Sequence, residues 1–273
     1  MEHREAEEGQ APSGRDGDGR GRPDSGSGPR RARLQVAVVT GASSGIGAEL
    51  VRLLQARGTR VVGLSRSPSK ADEHEECDVG DRVAVEAAAA RVLERHAWVD
   101  LLVCNAGIGA RGDYLTVAPQ RIEQVMRVNY LGSAWTTLAF LPALRRGSHL
   151  VNVCSVAGVV AIGPYSASKH AQLALSRSLA VELAPRGIHV HTILPGFVET
   201  PGFPQRTRWP RVLHPLIASP ELVARRILEA VDHDRREIVV PRWYRPAAWA
   251  QALAPGLLAN ARARTSRRPP RSP

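Results

Sequence analysis

Thr40-Gly41-Ala42-Ser43-Ser44-Gly45-Ile46-Gly47 follows a mostly apolar run, Leu34–Thr40, and opens a segment of helical period, Ile46–Arg57. Glycines at such a junction allow a tight turn, bring backbone N–H groups close to a pyrophosphate, and let the first helical turn face the anion. A glycine-rich turn alone is often only a turn. With a strand before it and a helix after it, the stretch reads as a dinucleotide-binding loop.

Outward from that loop, short Val/Ile/Leu-rich runs alternate with longer helical segments, which predicts a parallel sheet with crossover helices. Expected strands are Leu34–Thr40, Arg60–Ser65, Glu75–Asp78, Val99–Asn105, His149–Cys154, His189–Leu194 and Glu237–Val240. Most are continuously apolar, as strands covered on both faces are. Expected helices are Ile46–Arg57, Asp81–His96, Pro119–Arg145 with a break near Asn129, Tyr165–Pro185 and Pro220–Val231. The expectation is one α/β domain, a Rossmann-type doubly wound parallel sheet of about seven strands, flanked by helices on both faces. It would span residues 34–241, between a disordered N-terminal extension, 1–33, and a basic C-terminal tail, 242–273.

A length of 273 residues with 43% hydrophobic content suits one such domain with tails. The net charge of +11 is concentrated at the end, where Arg242, Arg245, Arg262, Arg264, Arg267, Arg268 and Arg271 occur without an acid. Basic and aromatic residues do not interleave on any recognisable binding module, so nucleic acid is not an expected partner. Trp243, Tyr244, Trp249, Leu253, Leu257 and Leu258 in the tail could lean on anionic lipid as an interfacial helix. Packing on the sheet edge or a partner subunit, followed by a basic end, is the preferred reading. Cys77, Cys104 and Cys154 lie in or beside apolar runs, as reduced thiols of a cytoplasmic protein do, and no metal set is evident. The first thirty-odd residues lack an apolar h-region, and the longest apolar stretch, Leu150 to Gly163, is too short to span a bilayer.

An NAD-specific Rossmann unit carries an acid at the end of its second strand to accept the ribose 2′-hydroxyl. Here that place holds Ser65-Arg66. Arginine would pair with a 2′-phosphate, so NADP(H) is expected over NAD(H). Tyr165 and Lys169, four residues apart at the start of a helical segment, share one helix face. A lysine charge about 5 Å from a phenol contributes roughly 3 kcal/mol at an effective dielectric near 20, which would lower its pKa by about two pH units. A phenol so lowered suits proton transfer near neutral pH. Only Lys70 and Lys169 are lysines, which adds weight to Lys169.

With the glycine loop, Asp78, Asn105-Ala106-Gly107, Asn129, Ser155 and Pro195-Gly196 with Thr200, these residues make the chain resemble the short-chain dehydrogenase/reductase family from about Leu34 to Val240. The resemblance implies hydride transfer between NADP(H) and a carbonyl or alcohol. Tyr165 would be the general acid in reduction and the base in oxidation, and Ser155 would hydrogen-bond the substrate oxygen. Lys169 would lower the Tyr165 pKa and hold the nicotinamide ribose, while Asn129 would seat the water that links Lys169 to solvent. Gly41, Ser43, Ser44, Gly45, Ile46 and Gly47 would cradle the pyrophosphate. Asp78 and Val79 would meet the adenine, and Asn105, Ala106 and Gly107 the adenosine ribose. Pro195, Gly196, Val198 and Thr200 would lie near the carboxamide or pyrophosphate. A homodimer or homotetramer paired through the helices around Asn129–Arg145 and Tyr165–Pro185 is also implied.

Two features depart from the family pattern. Cys104 replaces the first asparagine of Asn-Asn-Ala-Gly, and the Ser155 to Tyr165 interval is about three residues short. Ten residues still reach roughly 33 Å, so the geometry permits a working site. The shortened loop raises the alternative of a catalytically weak NADP(H)-binding scaffold or regulator. Phe203, Trp209, Leu213 and Leu216 resemble the family's variable substrate lid and point to an apolar carbonyl or alcohol. Arg206, Arg208 and Arg211 could equally meet an acidic group or form a solvated rim.

Overall fold

The computed structural model describes residues 32–160, 163–207, 210–246 and 256. Nearly all of the expected N-terminal extension, most of the C-terminal tail, and Arg208 and Trp209 lie outside these residues. Seven parallel strands form one sheet in the order β3-β2-β1-β4-β5-β6-β7. They are β1 (Val36–Thr40), β2 (Arg60–Ser65), β3 (Glu73–Glu76), β4 (Leu101–Cys104), β5 (His149–Val153), β6 (His189–Pro195) and β7 (Glu237–Val240). The helices are α1 (Gly45–Gln55), α2 (Arg82–Arg95), α3 (Pro119–Met126), α4 (Gly132–Phe140), α5 (Gly163–Glu182) and α6 (Pro220–Asp232). The described helices include none long and apolar enough to cross a membrane.

Strand side chains alternate faces, and the core divides accordingly. Ala37, Val39, Leu101, Val103, Val151 and Val153 pack with Leu50 and Leu54 of α1 and Ile227 and Leu228 of α6. Val38, Leu102 and Leu150 pack on the other face with Val85 and Val92 of α2, Phe140 of α4 and Leu179 of α5. Both faces are thus sealed, which is why the central strands read as unbroken apolar runs.

β3 lies two residues earlier than the expected Glu75–Asp78. Its sequence, Glu-His-Glu-Glu, has no apolar period, and its pairing of Val62 with Glu73 through Ser65 with Glu76 is held by charge. Glu75 accepts from Arg91 at 2.7 Å and from Arg95 at 2.6 Å, and Glu73 bonds Arg95 and His96. Burial raises the Glu75 carboxyl, but the hydrogen bonds from Arg95 and Arg91 outweigh it and hold the group below its ordinary range. A charged edge strand also discourages pairing with another sheet.

The expected break near Asn129 is a change of winding. A π-helical turn, Arg127–Leu131, joins α3 to α4, so the chain inserts an extra residue without leaving the helix.

A second polar feature lies at the N-terminal ends of β5 and β6. His191 Nδ1 lies 2.9 Å from the Arg235 carbonyl, which can only accept, so that nitrogen carries the proton. His191 Nε2 is therefore the acceptor for His149 Nδ1 at 2.9 Å, and both rings are neutral. Burial, followed by the neighbouring His191 and His189, pushes His149 down to about 4. The unfolded chain takes up that proton near its ordinary value and the folded chain does not. The stability is therefore complete above about pH 6.5 and is lost as pH falls towards about 4. Thermal melts across this window should show the midpoint falling, and His149→Gln, which keeps a donor to His191, should flatten that fall.

Candidate active site

The site begins where β1 ends. Thr40 Oγ1 donates to the Val103 carbonyl at 3.1 Å and accepts from the backbone N–H groups of Asn105 and Ala106. Asn105 Nδ2 donates back to Thr40 O at 2.9 Å. The glycine loop and the stretch after β4 are thereby fixed to each other. Gly41 has φ +66°, a left-handed conformation that favours glycine. A Cβ on Gly47 would collide with the Gly41 carbonyl, so the first turn of α1 can lie on the loop only as glycine. Ser43 and Ser44 are exposed, Ile46 is half-buried, and Ser44 makes no side-chain cap on α1. Gly45 sits against Thr200, which brings the segment after β6 to the same place.

Arg66 is exposed at the end of β2, with no partner among the described residues, while Ser65 turns its hydroxyl to Ser67 O at 2.8 Å. Asp78 is exposed and accepts from Gly80 N, and Val79 is buried against Gly132. Val198 is buried in the α1/α6 core.

The four expected catalytic residues converge past the ends of β4 and β5. Ser155 follows β5 and begins a 3-10 turn, Val156–Gly158, its hydroxyl donating to Pro195 O at 3.3 Å and accepting from Ala157 N at 3.0 Å, and it lies near enough to Tyr165 to lower the phenol. The short interval is bridged by direct ties between the turn and α5. A Cβ on Gly158 would strike the Lys169 carbonyl, and His170 Nδ1 lies 2.7 Å from Gly158 O. Gly107 lies against both Asn129 Oδ1 and Lys169 Nζ.

Two expectations change. Asn129 is fully buried in the π turn, and its side chain is occupied. Oδ1 accepts from Ile108 N at 2.8 Å, while Nδ2 donates to Ile108 O and Ser168 Oγ. It clamps the loop after β4 to α5, so seating a water would fall to its main chain. Nor is the phenol lowered by Lys169. Burial pushes Tyr165 up to about 12, only partly offset by the nearby Ser155 hydroxyl. The Lys169 ammonium is drawn away, donating to Val153 O at 3.0 Å and to Gln172 Oε1 at 2.7 Å. Its own burial lowers it to about 8. The thiols are inert by burial, which pushes Cys77 to about 11 and Cys104 and Cys154 to about 12.

The family model described as short chain dehydrogenase matches residues 35–211, which contain the loop and all four residues. The chain belongs to the short-chain dehydrogenase family. It is 32% identical to a dehydrogenase/reductase SDR family protein 7-like of Anopheles gambiae, across 84% of this chain and 82% of that one. It is 34% identical to the bovine dehydrogenase/reductase SDR family member 7B over 62% of its own length, spanning 59% of that relative. A short chain dehydrogenase from Burkholderia cenocepacia, solved in complex with NADP, superposes with a TM-score of 0.74 at 29% identity, covering 85% of this chain and 99% of that one.

In this short-chain dehydrogenase the ring of Phe203 lies 5.5 Å from that of Tyr165, tilted by 54°, and rests on Gly109. The chain beyond β7 returns to the same region. Arg242–Tyr244 form a 3-10 turn that lays the Tyr244 ring over Gly196, with its hydroxyl on Leu216 O at 3.2 Å. Tyr244 thereby packs with Cys154, Val156, Leu173 and Leu194 in a small core cluster beside Ser155. Tyr244, Gln172 and Ser168 were absent from the residues expected at the site. The position of Tyr244 depends on a contact across nearly fifty residues, whereas a polar Gln172 and Ser168 among inward-facing positions of α5 were visible in the sequence.

The tight crossing of α1 over the loop gives a direct test. Gly47→Ala should lower the unfolding free energy by about 1–3 kcal/mol, as overpacking against fixed backbone does. Gly202→Ala, where a Cβ meets nothing within 4 Å, should leave denaturant midpoints unchanged.

Proposed function

We propose that this short-chain dehydrogenase transfers hydride between NADP(H) and a carbonyl or alcohol, with Tyr165 as the proton donor in reduction and the acceptor in oxidation. The observation that carries the reading is the placement of Tyr165 and Lys169 one turn apart on α5, with Lys169 tied to the end of β5 through Val153 O and the Ser155 hydroxyl close enough to lower the phenol.

The residues present fit a nicotinamide dinucleotide. The loop that only glycine can form at Gly41 and Gly47, together with the uncapped start of α1, suits a pyrophosphate, and Thr200 stands beside it. Arg66 at the end of β2, exposed and without an acid beside it in sequence, supports NADP(H) over NAD(H). When bound, the nicotinamide supplies or accepts the hydride. The chain supplies the proton and the geometry. Tyr165 would donate to a carbonyl oxygen, and Ser155, whose hydroxyl now donates to Pro195 O, would turn to give a second hydrogen bond. A phenol held at about 12 is fully protonated at neutral pH, the state required of a donor in reduction. In oxidation Tyr165 must first give up its proton, which a value of about 12 disfavours near neutral pH, so the resting site is set for reduction. Phe203 against Tyr165, with Tyr244 near Ser155, supports an apolar substrate. Exposed Leu138 on α4 and Val181 on α5 suit a symmetric dimer or tetramer paired through those helices.

NADPH should raise the melting temperature more than NADH at equal concentration, and Arg66→Ala should shrink the difference. Equal shifts from both cofactors would count against the 2′-phosphate assignment. Tyr165→Phe should keep cofactor affinity and lower turnover at least ~100-fold in a carbonyl panel with NADPH. If the wild type turns over nothing and the variant is indistinguishable from it, the chain is a cofactor-binding scaffold.

A further inference from the structure

Lys169 is buried with no carboxylate partner among the described residues, and its charge is met only by dipoles. One of these is the Val153 carbonyl, which any residue would provide. The other is the side chain of Gln172, three residues on and fully buried. Gln172 Nε2 donates to Ser133 Oγ at 2.8 Å, and Ser133 Oγ donates to the Asn129 carbonyl at 3.0 Å. This chain fixes the direction of the amide. A hydroxyl has one proton, and that of Ser133 is used on a carbonyl, so Ser133 can only accept from Gln172. The amide nitrogen must therefore face Ser133 and the amide oxygen must face Lys169.

We propose that Gln172 is a positioning residue for Lys169: its amide, oriented by Ser133 and the Asn129 carbonyl, holds the ammonium at a fixed point and sustains its charge, leaving one N–H for the cofactor. The proposal rests on the functional reading above, because Lys169 matters only if that reaction occurs. The groups facing Lys169 are otherwise uncharged near neutral pH. The chain just after β5 presents Cys154, a thiol held protonated by burial, and α5 presents Tyr165 one turn earlier. The π turn and α4 present Asn129 and Ser133, and the stretch after β4 presents Gly107. The Gln172 oxygen is the side-chain acceptor that favours the charged form. Without it, a lysine already lowered to about 8 would lose its proton at still lower pH.

Two lysines in the chain make the test direct. Full-length protein labelled with ¹³C at the lysine ε-carbon should give two lysine signals, and Lys70→Arg identifies the one from Lys169. The Lys169 signal should titrate with a midpoint that Gln172→Leu lowers by about one pH unit, the size expected for losing one hydrogen bond to a charge. Gln172→Glu should raise the midpoint. In turnover assays the alkaline limb of kcat should move with it, with KM for the carbonyl substrate unchanged. Midpoints that stay put in both folded variants would overturn the proposal, whatever the activity. A wild type that titrates as expected but turns over no substrate would overturn the functional reading and leave the positioning intact. If Gln172→Leu does not fold, Ser133→Ala answers the same question. It frees the amide to turn, so the midpoint should fall, and an unchanged midpoint would count against the proposal.

Discussion

The parallel pairing of β1 with β4 is the contact on which the rest of this molecule depends. To one side of it the strand order runs β2, β3, and to the other β5, β6, β7, so the connections leave the sheet in opposite directions. A crevice must open beyond the carboxyl ends of these two strands, because no helix can cover both departures. Thr40 holds the two lips together with one hydroxyl, which donates to Val103 and accepts from Asn105 and Ala106. The glycine loop and the Asn105-Ala106-Gly107 stretch face each other for that reason. The placement of a dinucleotide site therefore follows from topology, and the residues refine it.

Around the other half of the crevice the interior is polar where it is expected to be greasy. Asn129, Ser133, Ser168, Lys169 and Gln172 are all buried, and they bond mostly one another and nearby backbone. Each such group is costly unless satisfied, and a satisfied network is rigid because no member can turn without stranding another. That rigidity compensates for the short interval between Ser155 and Tyr165. The strand end and the helix are referenced to each other through Lys169 and Val153, and through His170 and Gly158, so the loop between them does not have to set the distance.

What the sequence made legible followed local physics. β2 and β7 were readable to the residue because their apolar runs are bounded by polar ones, and Tyr165 and Lys169 because helical spacing alone puts them on one face. β3 was displaced because its stability comes from arginines on α2, and no periodicity marks a strand held by its neighbour's charge. Tyr165 and Lys169 both lie on α5, but the electrostatics differ from the expectation, because Lys169 does not lower the phenol. The direction in which a lysine points depends on acceptors such as Val153 O that sequence does not display. Tyr244 was missed as a site neighbour because its role depends on where the chain returns after β7.

The π turn between α3 and α4 has a consequence for how this protein can vary. One additional residue in the winding offsets everything after it by about 100° around the helix axis. Phe140 reaches the core and Asn129 reaches Ile108 only with that offset in place. Surface loops can lengthen or shorten with little effect on what they connect. In the segment from Arg127 to Leu131 the number of residues is itself the functional specification, because losing one would turn all of α4 to a different face while leaving its composition almost untouched.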